Sequence, residues 1–467
     1  MLFVRQAGAY SLLTHEQLID LTWRDSIVPL LLSRYPNLTA AQLDEARAYA
    51  YGGCVIQDMG YYPFGDRPFS NITHYVRTGD FVVSLLRNAH NADELAFAVG
   101  ALSHYVGDSI GHSEATNLAV PVEFPKLRAK YGRAVNYAEG KDQHVQAEFG
   151  FDIGEIAHRH MAPVRYLRHI GLRVPVRQLA LAYFQTYGLT DEFSGKRRRF
   201  NVREYRFVVH TFIPQVAYAI TLLHRKHEPA EPDTPEAAAI AKEIAAAAVE
   251  NDWQKYGHHA GIGTYALAGL LFVLPKIGPL KLVDVKGPTT ATESDYLHSV
   301  AVSTTILRLM LARFTPPKAA RPSDAKAGAG DPALAMQRAP AHPDVNPDAN
   351  PEADPNALMP SRDRHHPLPN RDLDTGRVVQ PGGYPLTDST YADLLHRLTR
   401  EPAQPIPPGI KEDVQAYYAN PDAPITTKKD HGAWAQVQAD LATLAAMPTS
   451  TEAMPYPTYG DDADSDQ

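Results

Sequence analysis

Apolar side chains recur at three- and four-residue intervals from Thr14 to about Phe314, and period-two alternation is scarce over the same span. That pattern belongs to amphipathic helices, not to half-buried strands. HEQLIDLTWRDSIVPLLLSRYP carries Leu18, Leu21, Ile27, Leu30 and Leu31 on one stripe and stops at Pro36. LTAAQLDEARAYAYGGCVIQDMG opens at a predicted Thr39 N-cap. Further helices are predicted in DELAFAVGALSHYVGDSIGHS, in NYAEGKDQHVQAEFGFDIGEIAHRHM, from Val208 to His224, in TPEAAAIAKEIAAAAVENDWQKYG and in ESDYLHSVAVSTTILRLMLARF. Each stripe needs a partner helix to cover it, so the fold class is an all-α, multi-helix bundle.

Composition divides the chain. Residues 315–385 are rich in Pro, Asp, Ala and Gly and read as a disordered linker, because they offer too little apolar surface to offset ordering. Residues 386–467 read as a short helical region: STYADLLHRLTR and HGAWAQVQADLATLAAM are two short helices, followed by an acidic tail. No stretch reaches the roughly 18 uninterrupted apolar residues of a membrane span, so no transmembrane segment is predicted. The formal charge of −8 gives no global attraction to nucleic acid or anionic lipid, so an anionic substrate needs a local cationic site such as bound metal. The basic run Lys196-Arg197-Arg198-Arg199 reads as a solvated loop. The single cysteine, Cys54, excludes internal disulfides and Cys-rich zinc modules, leaving histidines and carboxylates to hold any metal.

Those residue types cluster early. In Ser103-His104-Tyr105-Val106-Gly107-Asp108-Ser109-Ile110-Gly111-His112, the spacing puts His104, Asp108 and His112 on one helix face, with Gly111 predicted to end the helix. His144 and Glu148 repeat the spacing of four. Imidazole with carboxylate is a zinc-ligand chemistry, and such pairs on facing helices build sites in bundle cores. The spacing alone decides nothing, since it recurs at His90, His224 and His227. Order and context add weight: His15, Asp58 and His74 lie upstream, the last two near the ends of apolar segments, where a core-facing polar group needs a partner.

In this order, these residues resemble the zinc-dependent phospholipase C and P1/S1 nuclease superfamily of secreted all-α enzymes. The motifs run from about Tyr10 to Phe151, and the resemblance implies a catalytic domain over residues 10–314. It implies up to three zinc ions: Asp58, His74 and His104 on one, with Asp108 bridging from it to another; His112, His144 and Glu148 on a second; and His15, Asp108 and the backbone nitrogen and carbonyl of Tyr10 on the third. Two departures stand out. In the family the residue equivalent to His112 follows the bridging aspartate by six positions instead of four, and the mature chain starts with tryptophan, where this sequence offers Tyr10.

The resemblance implies phosphodiester hydrolysis, with Asp58 able to accept a proton from the attacking water. Glu148 favours phospholipid head groups or a membrane surface as substrate, because the nuclease branch commonly carries Asp there. The alternatives are a P1-like single-strand nuclease and a non-catalytic, metal-stabilised helical protein that binds lipid or a partner. Tyr61, Tyr62, Phe64 and Phe69 are candidates for a lipid- or base-receiving entrance, or for a self-packed loop. Finally, Ala7-Gly8-Ala9 has the small-x-small pattern of a signal-peptidase site. Residues 1–9 are therefore predicted to be the remnant of an export signal, with the working protein secreted or periplasmic and starting at Tyr10, five residues before His15.

Overall fold

The computed structural model describes residues 10–62, 65–190, 202–224, 232, 234–257, 261–273, 285, 287–315, 358 and 366–450. Residues 1–9, Phe64, the basic run at 196–199 and the acidic tail lie outside them. Among the described residues every regular element is helical, and pairing between extended segments is limited to the isolated bridges Arg371–Val378 and Ile406–Thr449.

The spine is the helix Ala92–Gly111, capped by the Asn91 side chain, which accepts from the Glu94 backbone N–H at 2.9 Å. From Ala96 to Gly111 every residue is buried. Such a helix has no solvent face and is covered on all sides by neighbours. Along it runs Ala40–Cys54, which begins with the predicted Thr39 cap, now seen as a capping box closed by Gln42. The two approach so closely that a Cβ on Gly100 would lie 2.2 Å from the carbonyl oxygen of Ala50. Leu12–Thr22, Thr78–Arg87 and Thr290–Phe314 complete the surround.

The first predicted helix is interrupted: Leu12–Thr22 passes through a π-helical turn, Trp23–Ile27, into Val28–Arg34, with Pro29 in the first turn of the new segment, where a missing N–H costs nothing. Gly111 does not end its helix. The backbone continues through a second π-helical turn, His112–Thr116, into Asn117–Glu123, because Gly111 keeps right-handed helical dihedrals. Val202–Leu223 is long and apolar enough to cross a membrane by length and composition alone. Its Val208, Val209, Ile213, Ala217 and Ile220 are buried in the main core, which accounts for the composition.

The linker prediction needs correction. Residues 366–385, placed in it by composition, are ordered against the helical domain: Arg371, Asp372, Leu373 and Asp374 are all buried. Their polar groups are met by specific partners, so the segment orders through hydrogen bonds that a hydrophobicity count cannot register. The C-terminal helices number three among the described residues: Pro385–Leu398, Pro408–Tyr417 and His431–Ala446. The middle one, with Ile410, Val414 and Tyr417 on its buried side, was not anticipated. All three contribute to the core of the N-terminal part, through Leu394, Ile410 and Leu444 among others.

If the Gly100 contact sets the spacing of the two central helices, Gly100→Val should lower unfolding free energy by at least about 1–3 kcal/mol. Urea denaturation followed by circular dichroism measures this; an unchanged midpoint would contradict the close approach.

Candidate metal centre

Eight side chains singled out in the sequence converge on one buried region. His15 projects from Leu12–Thr22, whose N-terminal turn is held by Asp152: its carboxylate accepts from the Leu13 and Thr14 backbone N–H groups at 3.2 Å each and from the Thr14 hydroxyl at 2.8 Å. Asp58 lies in the 3-10 turn Gln57–Gly60, tied to the spine by Gln57 Nε2 donating to the Ala101 carbonyl at 3.0 Å. His74 is in the last turn of Arg67–Tyr75, His104 and Asp108 are on the spine, His112 opens the π-helical turn, and His144 and Glu148 are on Lys141–His158. None is more than 4% exposed.

Their ligand-type atoms fall into three groups, each within 4.8 Å: His15 with His104 and Asp108; Asp58 with His74 and His104; His112 with His144 and Glu148. Asp108 is shared. One of its oxygens lies 3.2 Å from His15 Nε2, and the other lies 3.2 Å from His104 Nε2 and 3.4 Å from His74 Nε2. His74 Nε2 is also 3.2 Å from Asp58 Oδ1. In the third group His144 Nε2 lies 2.9 Å and His112 Nε2 3.6 Å from the same Glu148 oxygen.

The ring tautomers follow from the opposite nitrogens. Nδ1–H of His74 donates to the Ser70 carbonyl at 2.8 Å, that of His104 to the Cys54 carbonyl at 3.0 Å, and that of His112 to the Leu373 carbonyl. In the neutral ring each Nε2 is thereby left with its lone pair directed at the cluster. His112 Nε2, both nitrogens of His144, Glu148 Oε1 and Asp58 Oδ1 are fully buried yet make no hydrogen bond of normal geometry. Buried donors and acceptors are rarely left so unless a cation satisfies them, and nitrogen and carboxylate donors at this spacing fit zinc.

The protonation preferences are divided. Burial lowers His15 and takes His144 down to about 4, so both favour the neutral form a metal ligand needs. Burial also opposes charge on His74, but hydrogen bonds to Asp108 and Asp58 outweigh it and raise the ring to about 10. Burial likewise opposes charge on Asp108, and three imidazoles, led by His104, overcome it and hold the carboxyl well below its usual range. Glu148 is pushed up to about 8 by burial, only partly offset by His112.

A model of the zinc dependent phospholipase C family matches residues 14–191. This part of the chain is similar to that family. No curated protein and no solved structure matches the chain. The family is one of zinc-dependent hydrolases, and the matched span contains all eight convergent side chains.

Tyr10, predicted to give backbone atoms to the phospholipase centre, is the first described residue. Its ring is buried edge-on to His15 at 5.7 Å, and its hydroxyl donates to Ser299 at 2.8 Å. The predicted aromatic entrance separates. Phe69 packs on Tyr183 and Tyr62 on Tyr205, both in the core, and among the described members Tyr61 lies by the cluster, 5.1 Å from the His74 ring. Sequence reasoning missed the wall opposite the spine. Leu373 and Asp374 sit in RDLDTG, whose Asp and Gly read as loop punctuation, and nothing local marks them as neighbours of His112. His90, by contrast, has its acid at the same spacing engaged in a surface contact: Glu94 accepts from the His90 backbone N–H at 2.7 Å.

Zinc must displace the protons on His74 and Glu148, which are held up to about 10 and about 8. Zinc uptake at pH 7 should therefore release protons, and affinity should rise as pH increases toward 8, where Glu148 is about half ionised. Calorimetric titration in buffers of different ionisation enthalpy reads both; a pH-independent affinity between pH 6 and 8 would be the contrary result.

Proposed function

We propose that the chain hydrolyses the phosphodiester bond of a phospholipid as a phospholipase C, at a centre of three zinc ions. The observation that carries this reading is the position of Asp108, whose two oxygens serve two different groups of histidines and so join them into one centre. Asp58, His74 and His104 would hold one ion and His112, His144 and Glu148 another, with Asp108 common to the first and a third beside His15. In a chain processed to begin at Tyr10, the free amine and carbonyl of that residue would complete the third set, which accords with a secreted or periplasmic protein. Zinc held there would supply a hydroxide at neutral pH and polarise a phosphoryl oxygen.

The protein's own groups do the rest. Ser70, Cys54 and Leu373 carbonyls fix the imidazoles, so that no reorientation is needed when the ligand set is filled. Asp58, with one oxygen 3.2 Å from His74 Nε2, is the carboxylate placed to accept a proton from the attacking water. Lipid is favoured over nucleic acid by an apolar surface. Helix Ile262–Val273 buries Thr264, Ala268 and Leu271 on one stripe and exposes Ile262, Tyr265, Leu270 and Phe272 on the rest, with no charged side chain along it. A short uncharged helix with that exposure suits the interface of a lipid aggregate and offers nothing to a phosphate backbone.

Purified protein should contain zinc and cleave phosphatidylcholine but not single-stranded DNA, with activity abolished by chelator. Cleavage of DNA alone would favour the nuclease reading, and zinc without hydrolysis the non-catalytic one. Asp108→Asn should lose bound zinc and lower kcat/KM by about a hundredfold or more. Replacing both Ile262 and Phe272 with Asp should reduce hydrolysis of phosphatidylcholine vesicles about tenfold or more while leaving a short-chain monomeric phospholipid unaffected; equal effects on both substrates would remove the helix from the interfacial role.

A further inference from the structure

The metal-centre candidates are closed on one side by a strap, Pro369–Gly376, which lies beyond the matched family span. It is fastened at several points. The Tyr105 hydroxyl donates to the Pro369 carbonyl at 2.8 Å, and Thr78 both donates to the Arg371 carbonyl at 2.8 Å and accepts from its N–H at 2.9 Å. Leu373 bonds two of the converging residues through its main chain: its N–H donates to the His74 carbonyl at 3.1 Å, and its carbonyl accepts from His112 Nδ1–H. Asp374 follows. One carboxylate oxygen accepts from the Tyr75 hydroxyl at 2.8 Å and the Tyr384 hydroxyl at 2.7 Å, and the Asp374 carbonyl accepts from Asn117 Nδ2 at 2.9 Å. The other carboxylate oxygen, Oδ1, is buried with no hydrogen bond, in a residue that is 0% exposed.

We infer that this strap is a working part of the metal centre: Leu373 is the positioning residue for His112, and Asp374 contributes a carboxylate to the side of the site formed by His112, His144 and Glu148. The pattern supports it. His74 and His104 take their orienting carbonyls from the family domain itself, and His112, displaced by its shortened spacing onto a π-helical turn, takes its carbonyl from the strap. The unpartnered Asp374 oxygen belongs to the residue directly after Leu373, whose carbonyl orients His112, and His112 Nε2 is itself buried and unpartnered within the group formed with His144 and Glu148. Asp374 accepts from water bound to a cation held by His112, His144 and Glu148, a role that strengthens metal binding. This rests on the zinc reading above.

Gly376, two residues beyond Asp374, supplies a second lever. It has φ of +70°, and a Cβ there would lie 2.3 Å from the Ser109 carbonyl oxygen, so Gly376→Val should lift the strap. Full-length wild type, Asp374→Asn and Gly376→Val are titrated with Zn²⁺ against a chromophoric chelator and with Co²⁺ by visible absorption. In both variants one metal equivalent should bind about 10- to 100-fold more weakly, with a changed cobalt d–d band, while the other equivalents match wild type. Wild-type affinities and spectra in both variants would overturn the inference. So would a gain in phospholipid hydrolysis with unchanged metal binding, since the strap would then be only a removable cover. Should neither variant fold, the wild type decides through the ¹⁵N shifts of His112: metal at Nε2 with a proton on Nδ1 supports the strap's role, and the opposite tautomer overturns it. A wild-type chain that takes up no zinc would bring down the zinc reading as well. Normal uptake with unaffected variants removes the strap alone.

Discussion

Asp108 is a carboxylate at 0% exposure in the middle of a helical bundle, and most of the architecture answers to that fact. An ionised carboxylate in such a place costs several kcal/mol unless positive charge and hydrogen bonds surround it. Three imidazoles do so here, from His15, His74 and His104, and each comes from a different helix. The demand for those partners fixes how the helices bearing them must approach. The spine can then be wholly buried, because its only strongly polar face is turned into the cluster.

The histidine at position 112 shows how local backbone geometry and distant chain segments share one task. Ending the spine at Gly111 would have left His112 in a loop. A π-helical turn instead inserts extra backbone without breaking the helix, and swings the ring toward His144 and Glu148. That turn carries the ring away from the carbonyls that orient the other histidines, and the Leu373 carbonyl meets it from the opposite wall. A family domain and a segment far outside it thus meet at a single imidazole.

The same meeting explains why the C-terminal helices share the main core. The strap leads through residues 377–384 into Pro385–Leu398, whose Leu394 and Leu395 pack into the core, and Thr78 joins the two parts through the Arg371 carbonyl. A strap held only by its own hydrogen bonds would exchange them for water at little cost. Anchored by a packed helix at its end, it stays in place.

Much was written in the sequence by itself. Helical periodicity, the Thr39 cap and the His104, Asp108 and His144, Glu148 spacings are local properties, fixed by 3.6 residues per turn, and the fold class follows from them, while the family resemblance rests on the order of the whole set from His15 to Glu148. Pairing across distance is not local. Nothing within RDLDTG distinguishes a strap from a linker, because its order comes from Thr78, Tyr75, Asn117 and Tyr384, and nothing in Tyr62 or Phe69 distinguishes an entrance from a core. Only the tertiary structure decides such cases. A polar segment is ordered when its partners are already fixed, and an aromatic ring is buried when another element covers it, and both conditions belong to the packed bundle, not to any stretch of the chain.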